Sequence, residues 1–237
     1  MDWLTERPIA HRGLHSETAP ENSIRAFEAA VEAGYPIECD VRLSADGVPI
    51  VFHDDRLDRL TDGTGPLGDV DAAQLTEYTL LDGDERIPRL ETLLDVVDGT
   101  VPILVELKNT NRPGALESAV TACLDSYEGK FAVQSFNPLV VAWFRRHRSA
   151  WPRGQLSGFS DRQNAGLLRR TVMNRLLPNV YTRPDFVSYA HENLPYPPVG
   201  RSRERGTPVL AWTVRTEAHL ERVEPFVDNV IFEAFRP

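Results

Sequence analysis

Four short segments of this 237-residue chain carry side chains suited to chemistry: His11-Arg12-Gly13, Glu38-Cys39-Asp40, His53-Asp54 and Glu106-Leu107-Lys108. Each lies within or at the end of an apolar, β-forming run, where a strand interior should be uncharged. Side chains at i and i+2 share one face of a strand, so Glu38 points with Asp40, and Glu106 with Lys108. If that face lines one end of a sheet, three carboxylates, two imidazoles and two cations converge there. Carboxylates that close repel and raise one another's pKa, a difficulty that a bound cation removes. All-oxygen ligation by Glu38, Asp40 and Glu106 favours one hard divalent ion, Mg²⁺ or Ca²⁺, over zinc. Arg12 and Lys108 supply the planar fork and the point charge that a phosphate needs. His11 and His53 titrate near neutrality and suit a general acid and a general base on opposite sides of a phosphorus atom. The constellation reads as metal-assisted phosphoryl transfer. The competing reading pairs Glu38 and Asp40 with Arg12 and Lys108 and needs no metal, a costly arrangement for so many buried charges.

These residues must be positioned by a regular alternation of strands and helices. Strands are expected at Pro8–His11, Ile37–Leu43, Pro49–His53, Val101–Lys108, Phe131–Phe136, Gln155–Phe159, Asp185–Ser188, Val209–Val214 and Asn229–Glu233. Helices are expected from an Asn22 cap to Ala33, closed by Gly34, and near Arg89–Val97, Gly114–Ser126, Pro138–His147, Asp161–Leu177 and Thr216–Pro225. The Ser44-Ala45-Asp46-Gly47 link is too short for a parallel crossover, so Pro49–His53 must be an antiparallel hairpin arm. Eight parallel strands remain, which predicts an α/β fold, a (β/α)₈ TIM barrel, at close to its usual length of roughly 250 residues. An open doubly wound sheet is the rival, but no Gly-x-Gly-x-x-Gly joins a strand directly to a helix, the one at Gly63–Gly68 lying well past Pro49–His53. The chain reads as a single barrel domain, 1–237, with a small insertion or lid at 54–88 after the hairpin.

The formal charge of −9 disfavours nucleic-acid partners, and no apolar run approaches the roughly 20 residues of a membrane span. The first residues lack a basic-then-apolar signal pattern, which predicts a cytoplasmic protein. Cys39 and Cys123 are too few for a disulfide scaffold and read as small buried thiols. His15, His147, His191 and His219 read as loop or surface residues. The sequence leaves the oligomeric state open.

In order along the chain, His11-Arg12-Gly13, Pro20-Glu21-Asn22-Ser23, Glu38-Cys39-Asp40-Val41, Val51-Phe52-His53-Asp54, Arg59-Leu60-Thr61, Glu106-Leu107-Lys108, Gln134-Ser135-Phe136 and Trp212-Thr213-Val214 resemble the signature of glycerophosphodiester phosphodiesterases. The resemblance covers nearly the whole chain. It implies a (β/α)₈ barrel that hydrolyses small glycerophosphodiesters to sn-glycerol 3-phosphate and an alcohol. It implies His11 and His53 as the acid/base pair, Glu38, Asp40 and Glu106 as ligands of Mg²⁺ or Ca²⁺, and Arg12 and Lys108 as phosphate contacts. Gln134, Phe136 and Trp212 are then expected to line the pocket. Lysophospholipids or other lipid-sized phosphodiesters are the alternative substrates, and a catalytically silent phosphodiester-binding barrel is the non-enzymatic one. Three features depart from the family pattern: Arg215 follows Trp-Thr-Val where Asn is common, Glu233 stands in the last strand's closing motif where Asp is usual, and the stretch Phe186–Arg205, rich in Pro, Tyr and Arg, is unlike a typical family helix.

Overall fold

A computed structural model describes residues 1–81, 83–109, 111–159 and 167–237, with backbone alone for 167–170. It divides into two compact units, Ala10–Phe131 and Met1–Ile9 with Ala132–Pro237.

In the first, the end of β1 (Ile9–Ala10) runs parallel to β2 (Ile37–Leu43), which runs parallel to β4 (Ile103–Leu107). β3 (Pro49–Val51) is the expected antiparallel arm, with Val41 opposite Val51. The turn between them is held by Ser44, whose hydroxyl donates to Asp46 at 2.6 Å, and the same carboxylate accepts the N–H of Ala72 at 2.9 Å. Helix α2 (Ile24–Ala33) begins one residue later than an Asn22 cap would place it. Asn22 has a left-handed φ of 59°, whereas a cap needs extended backbone. Ser23 has that backbone (φ −92°, ψ 159°), and its side chain accepts the N–H of Ala26. Helices α4 (Leu90–Val97) and α5 (Ala115–Leu124) complete this unit, with Leu90, Leu93, Leu94 and Val97 of α4 buried.

The described residues of 54–88 hold a 3₁₀ turn at Leu67–Asp69 and the short helix α3 (Ala72–Leu75). Leu57, Leu60, Leu67, Leu75, Leu80 and Ile87 pack with Ile50 and Phe52 into one buried cluster. A long segment with so few regular elements keeps its shape through this small core.

The second unit carries five consecutive parallel strands: β5 (Phe131–Ser135), β6 (Arg153–Ser157), β7 (Phe186–Ala190), β8 (Val209–Val214) and β9 (Asn229–Phe232). Its helices are α1 (Trp3–Glu6), α6 (Pro138–His147), α7 (Leu167–Asn174), α8 (Asn179–Thr182), α9 (Pro197–Glu204) and α10 (Glu217–Val223). Residues 161–166 of the helix expected at Asp161–Leu177 lie outside the described residues. Among the described residues, three parallel strands in one unit and five in the other make the expected eight.

β6 starts two residues before its expected position, with Gly154 a strand residue. A Cβ there would lie 2.2 Å from the buried ring of Phe186. Gly154→Ala is therefore expected to destabilise the protein by about 1–3 kcal/mol through overpacking, measured by urea unfolding. His191 also departs from expectation. It is buried, its Nδ1 lies 2.8 Å from Arg222 Nη2, and its ring is 4.6 Å from that of His219. The 3₁₀ turn that follows β7 folds it under α10, a placement set by tertiary packing.

Candidate active site

Asp40 on β2 and Glu106 on β4 are register partners, so two carboxylates stand side by side on neighbouring strands. Glu38 lies two residues along β2 on the same face. All three are buried, and each offers an oxygen within 4.8 Å of the others. Two cations answer them. Lys108 Nζ lies 2.8 Å from Asp40 Oδ1 and 2.7 Å from Glu106 Oε1, and Arg12 Nε lies 3.0 Å from Asp40 Oδ2. Glu38 Oε2 accepts the backbone N–H of Arg12 at 3.1 Å. Asn22 Nδ2 donates to Asp40 at 3.0 Å, a contact that replaces its expected role as a helix cap.

Arg12 reaches this position through a left-handed φ of 56°, followed by Gly13 at φ 80°. A Cβ on Gly13 would meet the Ala26 carbonyl group at 2.8 Å, so glycine lets the loop run against α2.

Electrostatics distinguish the carboxylates. Burial raises the pKa of Asp40, but Lys108 and Arg12 outweigh it and hold the group far below the usual carboxylate range. Burial, then Asp40 and Glu106, push Glu38 well above that range. Glu106 is also raised, by burial and Asp40, against the opposing pull of Lys108. Of the ion pairs in the metal-free reading, those of Asp40 with Arg12 and Lys108 are present, while Glu38 meets the Arg12 backbone N–H and, like Glu106, resists its charge. Around the site, Glu21, Glu38, Asp40, Asp54 and Glu106 face Arg12, Arg59 and Lys108. A divalent cation would hold Glu38 and Glu106 in the charged form that burial opposes, and an all-carboxylate donor set fits a hard ion.

A second feature was not legible as a site. Arg12 Nη1 donates to Glu21 at 2.5 Å, and Arg59 Nη2 donates to the same Glu21 oxygen at 2.9 Å. Arg59 Nε then donates to Asp54 at 2.6 Å, and Asp54 Oδ1 lies 2.6 Å from His53 Nδ1. Alternating charges therefore run from Asp40 to the imidazole. Arg42 Nε donates to the backbone carbonyl of His53 at 2.8 Å and helps to fix its position. Burial, aided by Lys108 and Arg12, lowers the His53 pKa to about 4 despite Asp40 and Asp54. The ring is neutral at pH 7, and with Nδ1 turned to Asp54 its Nε2 is left for a reacting proton. Glu21 reads in sequence as loop. The signal that could have found it was its place in Pro20-Glu21-Asn22-Ser23, together with Arg59-Leu60-Thr61.

The structure thus gathers Arg12, Glu38, Asp40, His53, Glu106 and Lys108 within one unit, which also holds His11 just past the end of β1. Gln134, Phe136 and Trp212 lie in the other. Gln134 is buried and its Oε1 accepts the Ser188 hydroxyl at 2.8 Å. Phe136 meets Trp212 edge-on at 5.4 Å, and Gln155 Nε2 donates to the Ser135 and Phe136 carbonyls. The Trp212 indole N–H is buried without a partner among the described residues. Two of the departures from the family pattern meet each other, Arg215 Nε donating to Glu233 Oε1.

A model described as the glycerophosphoryl diester phosphodiesterase family matches residues 11–233. The chain belongs to that family. It is therefore an enzyme of phosphodiester hydrolysis. It is 36% identical over 238 residues to the glycerophosphodiester phosphodiesterase of Caldanaerobacter subterraneus subsp. tengcongensis, covering 94% of this chain and 92% of that one. Among solved structures, it resembles an Oleispira antarctica phosphodiesterase in complex with the product sn-glycerol-3-phosphate, with a TM-score of 0.80 at 23% identity over 97% of this chain and 93% of that one. A Thermotoga maritima glycerophosphodiester phosphodiesterase gives a TM-score of 0.73 at 24% identity, covering 96% and 94%. At these identities the likeness shows the fold, which is the (β/α)₈ barrel that the sequence predicts.

Proposed function

We propose that the chain hydrolyses glycerophosphodiesters to sn-glycerol 3-phosphate and an alcohol, with one divalent cation, Mg²⁺ or Ca²⁺, held by Glu38, Asp40 and Glu106. The observation that carries this reading is the buried carboxylate trio with mutual oxygen distances within 4.8 Å, beside two cations and a neutral histidine. The Oleispira relative, seen with sn-glycerol-3-phosphate, supports the product.

When bound, the cation supplies a Lewis-acid centre for a phosphoryl oxygen. Arg12 and Lys108, already charged and oriented by Asp40, bind the phosphate oxygens. His53 accepts at Nε2 a proton from the water that attacks phosphorus, because Asp54 holds Nδ1–H and the ring is neutral. His11 donates a proton to the leaving alkoxide as the bond from phosphorus to the alcohol oxygen breaks. Trp212 and Phe136 offer an apolar wall and one unpaired N–H donor to the organic part of the substrate. Residues 54–88 serve as a lid and specificity segment, supported by Arg59, which ties that segment to Glu21 and Asp54.

Calorimetric titration of metal-stripped protein tests the cation site. One Mg²⁺ or Ca²⁺ per chain is expected, with protons released from Glu38 and Glu106 and affinity that rises with pH. Glu38→Gln is expected to remove this binding. Equal binding by wild type and Glu38→Gln would refute the ligand assignment.

A further inference from the structure

We infer that a basic face rimmed by apolar side chains, at the N-terminal ends of β7 and β8, docks onto an anionic phospholipid surface. Its centre is a cavity of about 460 Å³ lined by Arg175, Arg183, Arg201 and Arg205, with Leu177 and Val180. Arg183 lies just before β7 and Arg205 just before β8, at the strand ends away from Trp212 and Arg215. Among the described residues, no carboxylate lines the cavity. Among the described residues none of the four arginines forms an ion pair, whereas nearby Arg153 and Arg203 are paired with Asp185 and Asp228.

Helix ends explain part of this charge but not all of it. Arg175 follows α7, Arg183 caps α8, and Arg201 and Arg205 lie in the last turn of α9 or just beyond it. Three helix C-termini carry roughly one and a half negative charges between them, which leaves a surplus of about two and a half positive charges. That surplus stands out in a chain of net charge −9.

The rim is the second observation. Leu177, Val180 and Tyr181 are 53%, 85% and 62% exposed, and Arg145 lies over the Tyr181 ring at 5.9 Å. A pocket for a free anion has no use for Val180 projecting into water. A second copy of the chain related by a twofold axis would set arginines against arginines. An anionic lipid surface satisfies both features, giving phosphates to the guanidiniums and its acyl boundary to the three apolar side chains. This inference stands independently of the substrate proposed above.

Vesicle flotation of the full chain tests it, comparing phosphatidylcholine alone with phosphatidylcholine containing phosphatidylglycerol. Binding is expected only with phosphatidylglycerol, and weaker at high salt. Arg201→Glu with Arg205→Glu should weaken it at least tenfold, and Val180→Asp should weaken it without altering the arginines. Lys130→Glu with Arg236→Glu, an equal charge change elsewhere, should bind as wild type does. Circular dichroism confirms that each variant folds. Three results would overturn the inference: no binding to phosphatidylglycerol vesicles, binding unchanged in both the arginine and Val180 variants, or a dimer that the arginine variant dissociates. Inorganic phosphate protecting the wild type in thermal melts, without vesicle binding, would also overturn it and mark a soluble-anion site.

Discussion

His53→Ala is expected to lower kcat by roughly 10²–10⁴-fold, the range for a positioned acid–base group, while KM and folding stay near their starting values. The His53 side chain is a third exposed and lies outside the buried cluster of residues 50–87, so its loss should be read in the chemistry. Asp54→Asn discriminates further. An amide in this position can donate to Nδ1, which moves the ring proton to Nε2 and removes the acceptor. A fall in kcat of similar size is therefore expected with the imidazole still present. The pH profile follows from the same geometry. Burial lowers His53 to about 4, so the base form persists as pH falls through 6.5, the ordinary histidine value. With cation at saturation, the acid limb of kcat should not lie near 6.5. A limb there, abolished by His53→Ala, would show an imidazole far more solvated than this structure places it.

Asp40→Asn is expected to be the most disruptive single change, combining loss of cation binding with a loss of about 3–5 kcal/mol of stability. Its carboxylate is the shared partner of Lys108, Arg12 and Asn22, all inside the protein. Removing the charge leaves Lys108 with Glu106 alone, in a site where burial already opposes the ammonium. The pH dependence has a definite sign. Asp40 is held far below its unfolded pKa of about 3.9, so its stabilisation is fully present above that value and is lost as pH falls below it. The gap in unfolding free energy between wild type and variant should thus stay constant from pH 7 to about 5 and narrow below 4. Urea unfolding across this range checks it, and a gap that widened on acidification would contradict the ion-pair account.

The strand faces were legible because the alternation of side chains is a local rule. Glu38 with Asp40, and Glu106 with Lys108, needed only a period of two, and the hairpin needed only a link too short to cross over. The Asp40–Glu106 register adds what the sequence leaves open, namely which residue of β4 stands beside which residue of β2. The chain from Glu21 through Arg59 to Asp54 was not legible from residue types, since its members are charged loop residues up to 38 positions apart. Such residues normally belong to a solvated surface. Asn22 was misread because both neighbouring residues are good caps, and only the backbone angle separates them. Gly154 hid the start of β6 because glycine disfavours strands, while its actual role is to make room for Phe186. The arginine-lined cavity was not legible as a site: the Pro, Tyr and Arg content of Phe186–Arg205 is visible in the sequence, but its meeting with Arg175 and Arg183 is set by tertiary packing.

The central claim is a cation-dependent hydrolysis that releases sn-glycerol 3-phosphate. The most direct measurement is an enzyme-coupled assay for that product, using metal-stripped protein with glycerophosphocholine, -ethanolamine, -glycerol and -inositol. No product is expected from any of them before metal is added. Mg²⁺ or Ca²⁺ should restore turnover in wild type but not in Glu38→Gln. Turnover that persists without metal, or that Glu38→Gln retains, would contradict the account.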